Sequence, residues 1–352
     1  PLPDRHCLRR SALSINFLEL EFSMSQSKNI LIVGGAGYIG SHTTLALKDA
    51  GYGTIVYDNF STGHRDAVFS DHLVEGDLSD TGRLRETLRA YDIACVVHFA
   101  ALIEAGQSVV TPLPFFENNV AGTVSLLQAM EAEGVKRLVF SSTAAVYGNR
   151  DDVGLLTEDL QRAPINPYGD SKAMVETILE TCVPAHGMQA IALRYFNASG
   201  ADPAGRTGER HDPETHLIPL IIEAARGQRP QINIYGTDYE TDDGTCIRDY
   251  IHVADLATGH VAAVTHLLKS DEPSFSPINL GTGEGQSVRQ VIEAVKRVSG
   301  NDFAIVETAR RPGDPAMLVA NAQKAKTVLG WSAQYTEIDS IVQDAWNYAS
   351  LR

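Results

Sequence analysis

From Lys28 onward the chain alternates short aliphatic runs with longer stretches whose apolar positions recur at helical spacing. The runs Asn29–Val33, Thr54–Asp58, Leu73–Gly76, Ala94–Phe99, Arg137–Ser142 and Ala190–Tyr195 are apolar over successive positions. Strands covered on both faces have that composition. Helical periodicity falls between them, near residues 39–50, 81–90, 115–133 and 168–183. Strand and helix taken in turn predict a doubly wound parallel sheet over residues 28–196.

Beyond Asn197 the pattern changes. Residues 198–216 are rich in Gly, Pro, Asp and His, reading as a long loop, and 236–247 are similarly polar; long loops in a compact domain usually carry function. Short strands (Gln231–Tyr235, Ile278–Leu280, Ala304–Val306) and helices (217–226, 253–269, 288–299, 337–348) follow. They predict a smaller α/β substrate domain over 197–352, some of whose elements pack back on the first. Residues 1–27 are expected to lie outside the fold, as a non-native or disordered extension. Their first 23 residues lack the apolar core and small-residue cleavage site of a signal peptide, and Asp4, Glu19 and Glu21 argue against a mitochondrial one.

Composition narrows the partners. The 352 residues carry a formal net charge of −15, which argues against nucleic acid or an anionic membrane. No apolar run approaches the ~20 residues of a membrane span. The four cysteines (Cys7, Cys95, Cys182, Cys246) are scattered, without a CxxC pair or a histidine at ligand spacing. They read as reduced thiols of a cytoplasmic protein, and no metal site is assigned.

Two motifs carry the chemistry. Strand 29–33 runs directly into Gly34-Gly-Ala-Gly37-Tyr38-Ile39-Gly40 and then a helix, the context a dinucleotide-binding turn of the Rossmann type requires. Gly34 permits the tight turn, Gly37 the approach of a pyrophosphate, and Gly40 close helix–strand packing. The helix N-terminus supplies free N–H groups and partial positive charge. Asp58 ends the second strand 18 residues beyond Gly40, where a carboxylate binds a ribose diol and repels a 2′-phosphate, favouring NAD over NADP. Asp77, after the third strand, reads as either an adenine contact or a helix N-cap. Tyr168 and Lys172 are spaced i, i+4, placing phenol and ammonium on one helix face. Ionising a free tyrosine near neutrality needs a shift of about three pKa units, roughly 4 kcal/mol. Lys172 and a positively charged nicotinamide are expected to supply it, with Thr143 bonding the same substrate hydroxyl.

These residues resemble the extended short-chain dehydrogenase/reductase family, and within it the UDP-sugar 4-epimerases. The matching segments include GGAGYIGSH, VVHFAA, FSSTAAVYG, NPYGDSKAMVE, LRYFN, DGTCIRDYIHVADLA, INLGTG and RRPGD, spread over roughly 28–350. The resemblance implies NAD-dependent, reversible inversion at C4 of UDP-glucose and UDP-galactose through a 4-keto sugar, with NAD tightly bound and recycled. Tyr168 would be the acid/base, Lys172 its electrostatic partner, and Thr143 the polarising hydroxyl. Tyr38, Ile39, Asp58, Asn59, Phe60, Ser61, Thr62, Gly63, Asp77, Leu78, Phe99, Ala100, Ala101, Asn118 and Phe196 would line NAD beside the glycines. Asn197, His216 and Leu217 would meet the diphosphate and uridine region, and Ile234 and Tyr235 uracil through backbone. Arg248 and Arg311 would clamp phosphate, guanidinium being suited to bidentate contact. Asp314 would reach the uridine ribose. A homodimer through helices near 115–133 and 168–183 is also implied.

Three positions depart from the family pattern: Ile103 replaces a lysine over the cofactor, His216 an asparagine, and Leu318 stands where a tyrosine can exclude an N-acetyl group. Activity mainly on a UDP-N-acetylhexosamine or a UDP-pentose is therefore the alternative. A dehydratase would need Asp-Glu where Ala144-Ala145 stand, and a non-catalytic NAD sensor would lack Tyr168 or Lys172.

Overall fold

The computed structural model describes residues 28–150, 154–311 and 313–352, so the expectation for 1–27 falls outside it. The first half alternates as the pattern predicts. Strands β1 (Asn29–Val33), β2 (Gly53–Asp58), β3 (His72–Glu75), β4 (Ile93–His98), β5 (Arg137–Thr143) and β6 (Gln189–Tyr195) are joined through five helices. These are α1 (Tyr38–Asp49), α2 (Thr81–Ala90), α3 (Ala105–Val110), α4 (Pro112–Phe115) and α5 (Gly122–Glu133), with α6 (Pro167–His186) leading into β6. The helix expected over 115–133 is interrupted by a wide π-type turn at Phe116–Ala121. That turn presents buried Asn119, whose amide bonds Leu102 O and Ser171 Oγ at 3.0 Å each, tying a cavity loop to α6.

The second half supplies β7 (Asn197–Ser199), α7 (Leu217–Ala225), β8 (Gln231–Tyr235), β9 (Ile247–His252), α8 (Val253–Leu267) and β10 (Ser274–Leu280). After these come β11 (Gly285–Ser287), α9 (Val288–Ser299), β12 (Ala304–Thr308), β13 (Met317–Leu318) and α10 (Ile338–Ser350). The 196/197 boundary is crossed in space. Strand β10 pairs in parallel with β6, giving a seven-stranded sheet of order β10-β6-β5-β4-β1-β2-β3, and α8 packs against α1. Strands β7, β9, β11 and β13 form a small second sheet, and β8 pairs with β12.

Alternation along each strand sends side chains to two cores. Leu31, Val33 and Phe140 face α2, α5 and α6, packing with Leu88, Leu126 and Leu179. Ile30, Ile32 and Val56 face α1 and α8, packing with Leu47, Leu256 and Val264. A third core joins Ile222, Ile234, Val295 and Val342 from α7, β8, α9 and α10. Strand order reverses at β1, flanked by β2 and β4, and doubly wound sheets bind ligands outside the strand ends at such a switch.

Candidate active site

A cavity opens at that switch. It gathers Gly34, Gly37, Tyr38, Ile39 and Gly40 from the glycine turn, with Asp58, Asn59, Ser61, Thr62 and Gly63 after β2. Leu78, Phe99, Ala100, Ala101, Ile103, Asn118, Thr143, Tyr168, Phe196, Asn197 and His216 complete the predicted lining. Gly34 has φ +81°, and a Cβ there would sit 2.5 Å from Ala100 N. A Cβ on Gly40 would meet Gly34 O at 2.3 Å. Both glycines are therefore demanded by close backbone packing. At Gly37 the nearest such contact is 3.5 Å, so the space above the α1 N-terminus stays open.

Asp58 accepts from Ala36 N at 2.9 Å and Phe60 N at 2.8 Å, bracing the glycine turn from β2. Burial raises its carboxyl against those hydrogen bonds. Phe60, Asp77 and Lys172 do not line the cavity. Phe60 stacks with the Arg65 guanidinium, 4.2 Å from its centroid. Asp77 accepts from Asn59 Nδ2 at 2.7 Å and from Ser79, whose hydrogen bonds hold its carboxyl below the usual range. The N-cap reading of Asp77 is corrected: Asp80 caps α2, accepting from Arg83 N at 2.9 Å.

Asn166 caps α6 by accepting from Gly169 N at 2.9 Å, and Pro167 occupies the first turn. This starts the helix so that the Tyr168 hydroxyl bonds the Thr143 side chain inside the cavity. Lys172, only 2% exposed, turns beneath it: Nζ donates to Ser141 O at 2.9 Å and lies 4.9 Å from the Phe140 centroid. Burial raises Tyr168, Thr143 opposes this, and Glu104 adds to it. Burial likewise pulls Lys172 down to about 7.

Of the residues assigned to the diphosphate and uridine end, Asn197 and His216 line the cavity, while Leu217, Ile234, Tyr235, Arg248, Arg311 and Asp314 form a second group outside that lining. Arg248, on β9, pairs with Asp314 and donates to Ile247 O at 2.8 Å. The Arg311 guanidinium lies 3.9 Å from the Tyr235 centroid, and its hydrogen bond, with that of Asn233, lowers the phenol. Leu217 and Ile234 contribute to the third core, leaving Ile234 only its backbone for a ligand. Leu318 registers opposite Arg248 and packs in the small cluster that contains Phe196 and Tyr147, bridging the two groups.

Sequence reasoning missed Glu104 beside Tyr168, and Ser108, whose Oγ accepts from Tyr168 N at 3.2 Å. It also missed Glu209 and His211, which line the cavity and cluster with Glu214 and His216. Two histidines and two glutamates within eight residues were the available signal.

A glycine turn at a sheet's switch point, a ribose-type carboxylate and a Tyr–Lys pair define a dinucleotide enzyme of the short-chain type. Residues 30–281 match the NAD dependent epimerase/dehydratase family, and the chain belongs to it. Its relatives are more specific. A UDP-glucose 4-epimerase of Rhizobium meliloti (strain 1021) is 50% identical over 93% of this chain and 98% of its own. The UDP-glucose 4-epimerase of Brucella ovis, solved with NAD, superposes at TM-score 0.88 with 46% identity, covering 92% of this chain and 98% of that one. The Bifidobacterium longum enzyme, solved with NAD+ and UDP, superposes at TM-score 0.86 with 36% identity, covering 92% and 99%.

Proposed function

We propose that this chain is an NAD-dependent UDP-glucose 4-epimerase, interconverting UDP-glucose and UDP-galactose. The observation that carries the reading is the Tyr168–Thr143 hydrogen bond in the cavity that also holds the glycine turn and Asp58. The residues fit the cofactor. The backbone above Gly37 is open to a pyrophosphate at the α1 N-terminus, and the Asp58 carboxylate stands ready for a ribose diol. NAD, when bound, supplies the acceptor that takes the C4 hydride and returns it to the other face of the keto sugar. Tyr168 takes the C4 hydroxyl proton and gives it back, while Thr143 orients that hydroxyl. Lys172, anchored on Ser141 beneath the phenol, would supply an ammonium on the cofactor side of Tyr168.

Arg248, Arg311, Asp314 and Tyr235 hold the UDP part, with Asn197, Leu217 and backbone at Ile234 beside it. Residues 28–196, completed by α8 and β10, form the cofactor half, and the remainder of 197–352 the sugar-nucleotide half. We also propose a cytoplasmic homodimer through α5 and α6. Met174 on α6 is 46% exposed beside Ile178 and Val120, and Cys95, Cys182 and Cys246 are free thiols. Among the described residues no helix is long and apolar enough to cross a membrane.

The deciding assay supplies UDP-galactose and measures UDP-glucose, with absorbance following NADH. UDP-glucose should form without accumulating NADH. Absence of UDP-glucose, with Tyr168→Phe indistinguishable from the parent chain, would sink the reading.

A further inference from the structure

Between β7 and α7, Glu209, His211, Glu214 and His216 converge on one point. Glu209 Oε1 lies 2.6 Å from His216 Nδ1 and 3.3 Å from His211 Nδ1. Glu214 completes the set, with oxygens 3.7 Å from His211 Nδ1 and 3.6 Å from His216 Nδ1. One donor atom from each residue lies within 4.8 Å of all the others. Zinc held at about 2.0–2.2 Å by nitrogen and oxygen ligands has tetrahedral edges of about 3.3–3.6 Å. Two of the four separations, 3.3 Å and 3.6 Å, fall in that range, 3.7 Å lies just beyond it, and the 2.6 Å contact would have to open as the ion enters.

Direction matters more than distance. Glu209 Oε1, His211 Nδ1 and His216 Nδ1 are buried from solvent, yet none makes a hydrogen bond of acceptable geometry. Two histidine–glutamate ion pairs would aim each N–H along the line to an oxygen, satisfying these atoms. Lone pairs aimed at a shared centre leave them as they stand. Glu214 is also held in place: its Oε1 accepts from Thr215 N at 2.7 Å and His216 N at 2.9 Å, turning Oε2 toward His211.

We propose that Glu209, His211, Glu214 and His216 form a four-coordinate divalent-cation site of the zinc type. Binding would release the proton that each carboxylate-paired imidazole holds; two neutral imidazoles and two carboxylates then neutralise one divalent ion, and four protein ligands leave no open position, so the site is structural. Its place gives it a purpose. The His211 ring packs edge-on against Tyr38, with centroids 6.4 Å apart, and the Tyr38 hydroxyl donates to Gly200 O at 2.7 Å. The ion would staple the 209–216 loop to the glycine turn, closing one wall of the cofactor cavity.

The test uses the full chain, stripped with a chelator, dialysed and titrated with zinc or cobalt alone. Elemental analysis should find one zinc per chain, and cobalt should give the intense visible bands of four-coordinate geometry. His211→Ala with His216→Ala should lose the stoichiometric ion. Glu214→Gln, which keeps the backbone acceptor, should weaken binding at least tenfold while remaining folded. Zinc should slow proteolysis within 209–216. The proposal is overturned by substoichiometric zinc after titration, by weak octahedral cobalt bands, or by equal binding in the Glu214→Gln variant. Imidazolium signals from both histidines in the presence of zinc would also overturn it, showing ion pairs instead.

Discussion

Tyr168 and Lys172 are neighbours on α6, but only the phenol enters the cavity. Its hydroxyl bonds Thr143, while the Lys172 ammonium donates to Ser141 O at 2.9 Å. Thr143 and Ser141 lie two apart on β5, so both share one face of that strand. An i, i+4 pair on a helix is thus locked against an i, i+2 pair on a strand. Neither functional group depends on a loop for its position.

Replacing the phenol tests the proton transfer alone. Tyr168→Phe should lower kcat by about 10²–10⁴, the usual worth of a positioned acid/base. Bound NAD, released by denaturation and quantified, should stay near the parent level. If instead cofactor content falls in step with turnover, Tyr168 acts by holding NAD.

The same helix is anchored by a buried ion pair one turn further on. Arg194 grips Glu176 through Nε at 3.0 Å and Nη2 at 2.6 Å, and Ser142 Oγ donates to the same carboxylate at 2.5 Å. Arg194→Met should cost up to about 3–5 kcal/mol in urea unfolding, because buried Glu176 loses two of its hydrogen bonds and keeps only Ser142 and the Arg162 guanidinium at 3.1 Å. Adding Glu176→Leu should recover much of that loss. Catalysis should suffer with either change, since Tyr168, Lys172 and Glu176 ride on one helix face.

Buried histidines set the response to acid. Burial lowers His42, His252 and His260 to about 4 and His98 to about 3. Between those values and the unfolded value near 6.5, the unfolded chain binds more protons than the folded one. Stability is therefore fully present above pH 6.5 and is lost as pH falls toward 4. Each histidine contributes up to about 1.4 kcal/mol per pH unit within that window. Urea midpoints at about pH 7 and about pH 5 should show the fall, and His98→Gln should make it shallower.

Leu318 bears on sugar size. It packs with Phe196 and Tyr147 between the cavity and Arg248. The chain should turn over UDP-N-acetylglucosamine at a measurable rate. Leu318→Tyr should cut that activity roughly 10–200-fold, the range a pocket of changed bulk yields, and spare UDP-glucose. Equal losses on both sugars would mean that Leu318 only supports the fold.

Sequence legibility followed locality. The glycine turn, Asp58 and the Tyr168–Lys172 spacing are local patterns, and the structure brings the glycine turn, Asp58 and Tyr168 to one cavity. Asp77 and Asp80 both precede α2 within a few residues, so composition alone could not choose the cap. The depth of Lys172 was not legible, because it depends on Phe140 and Ser141 closing over it. The Glu209–His216 cluster lies in irregular chain, where no periodicity shows which side chains will meet. Strand Ile278–Leu280 was recognised as a strand, but an apolar triplet carries no record of its partner.

That partner has a consequence for synthesis on the ribosome. Strand β10 pairs with β6 along its whole length, and Asn279 on β10 accepts from the Tyr147 hydroxyl at 2.6 Å. Tyr147 in turn accepts from Arg194 at 3.1 Å, the arginine that anchors the catalytic helix. A nascent chain that has exposed every residue through Tyr195 therefore has an open sheet edge and an unfinished anchor. Closure of that edge waits for Leu280 to leave the exit tunnel, with the polar loops threaded meanwhile. The N-terminal half is an unfinished template that a later stretch of the message must complete.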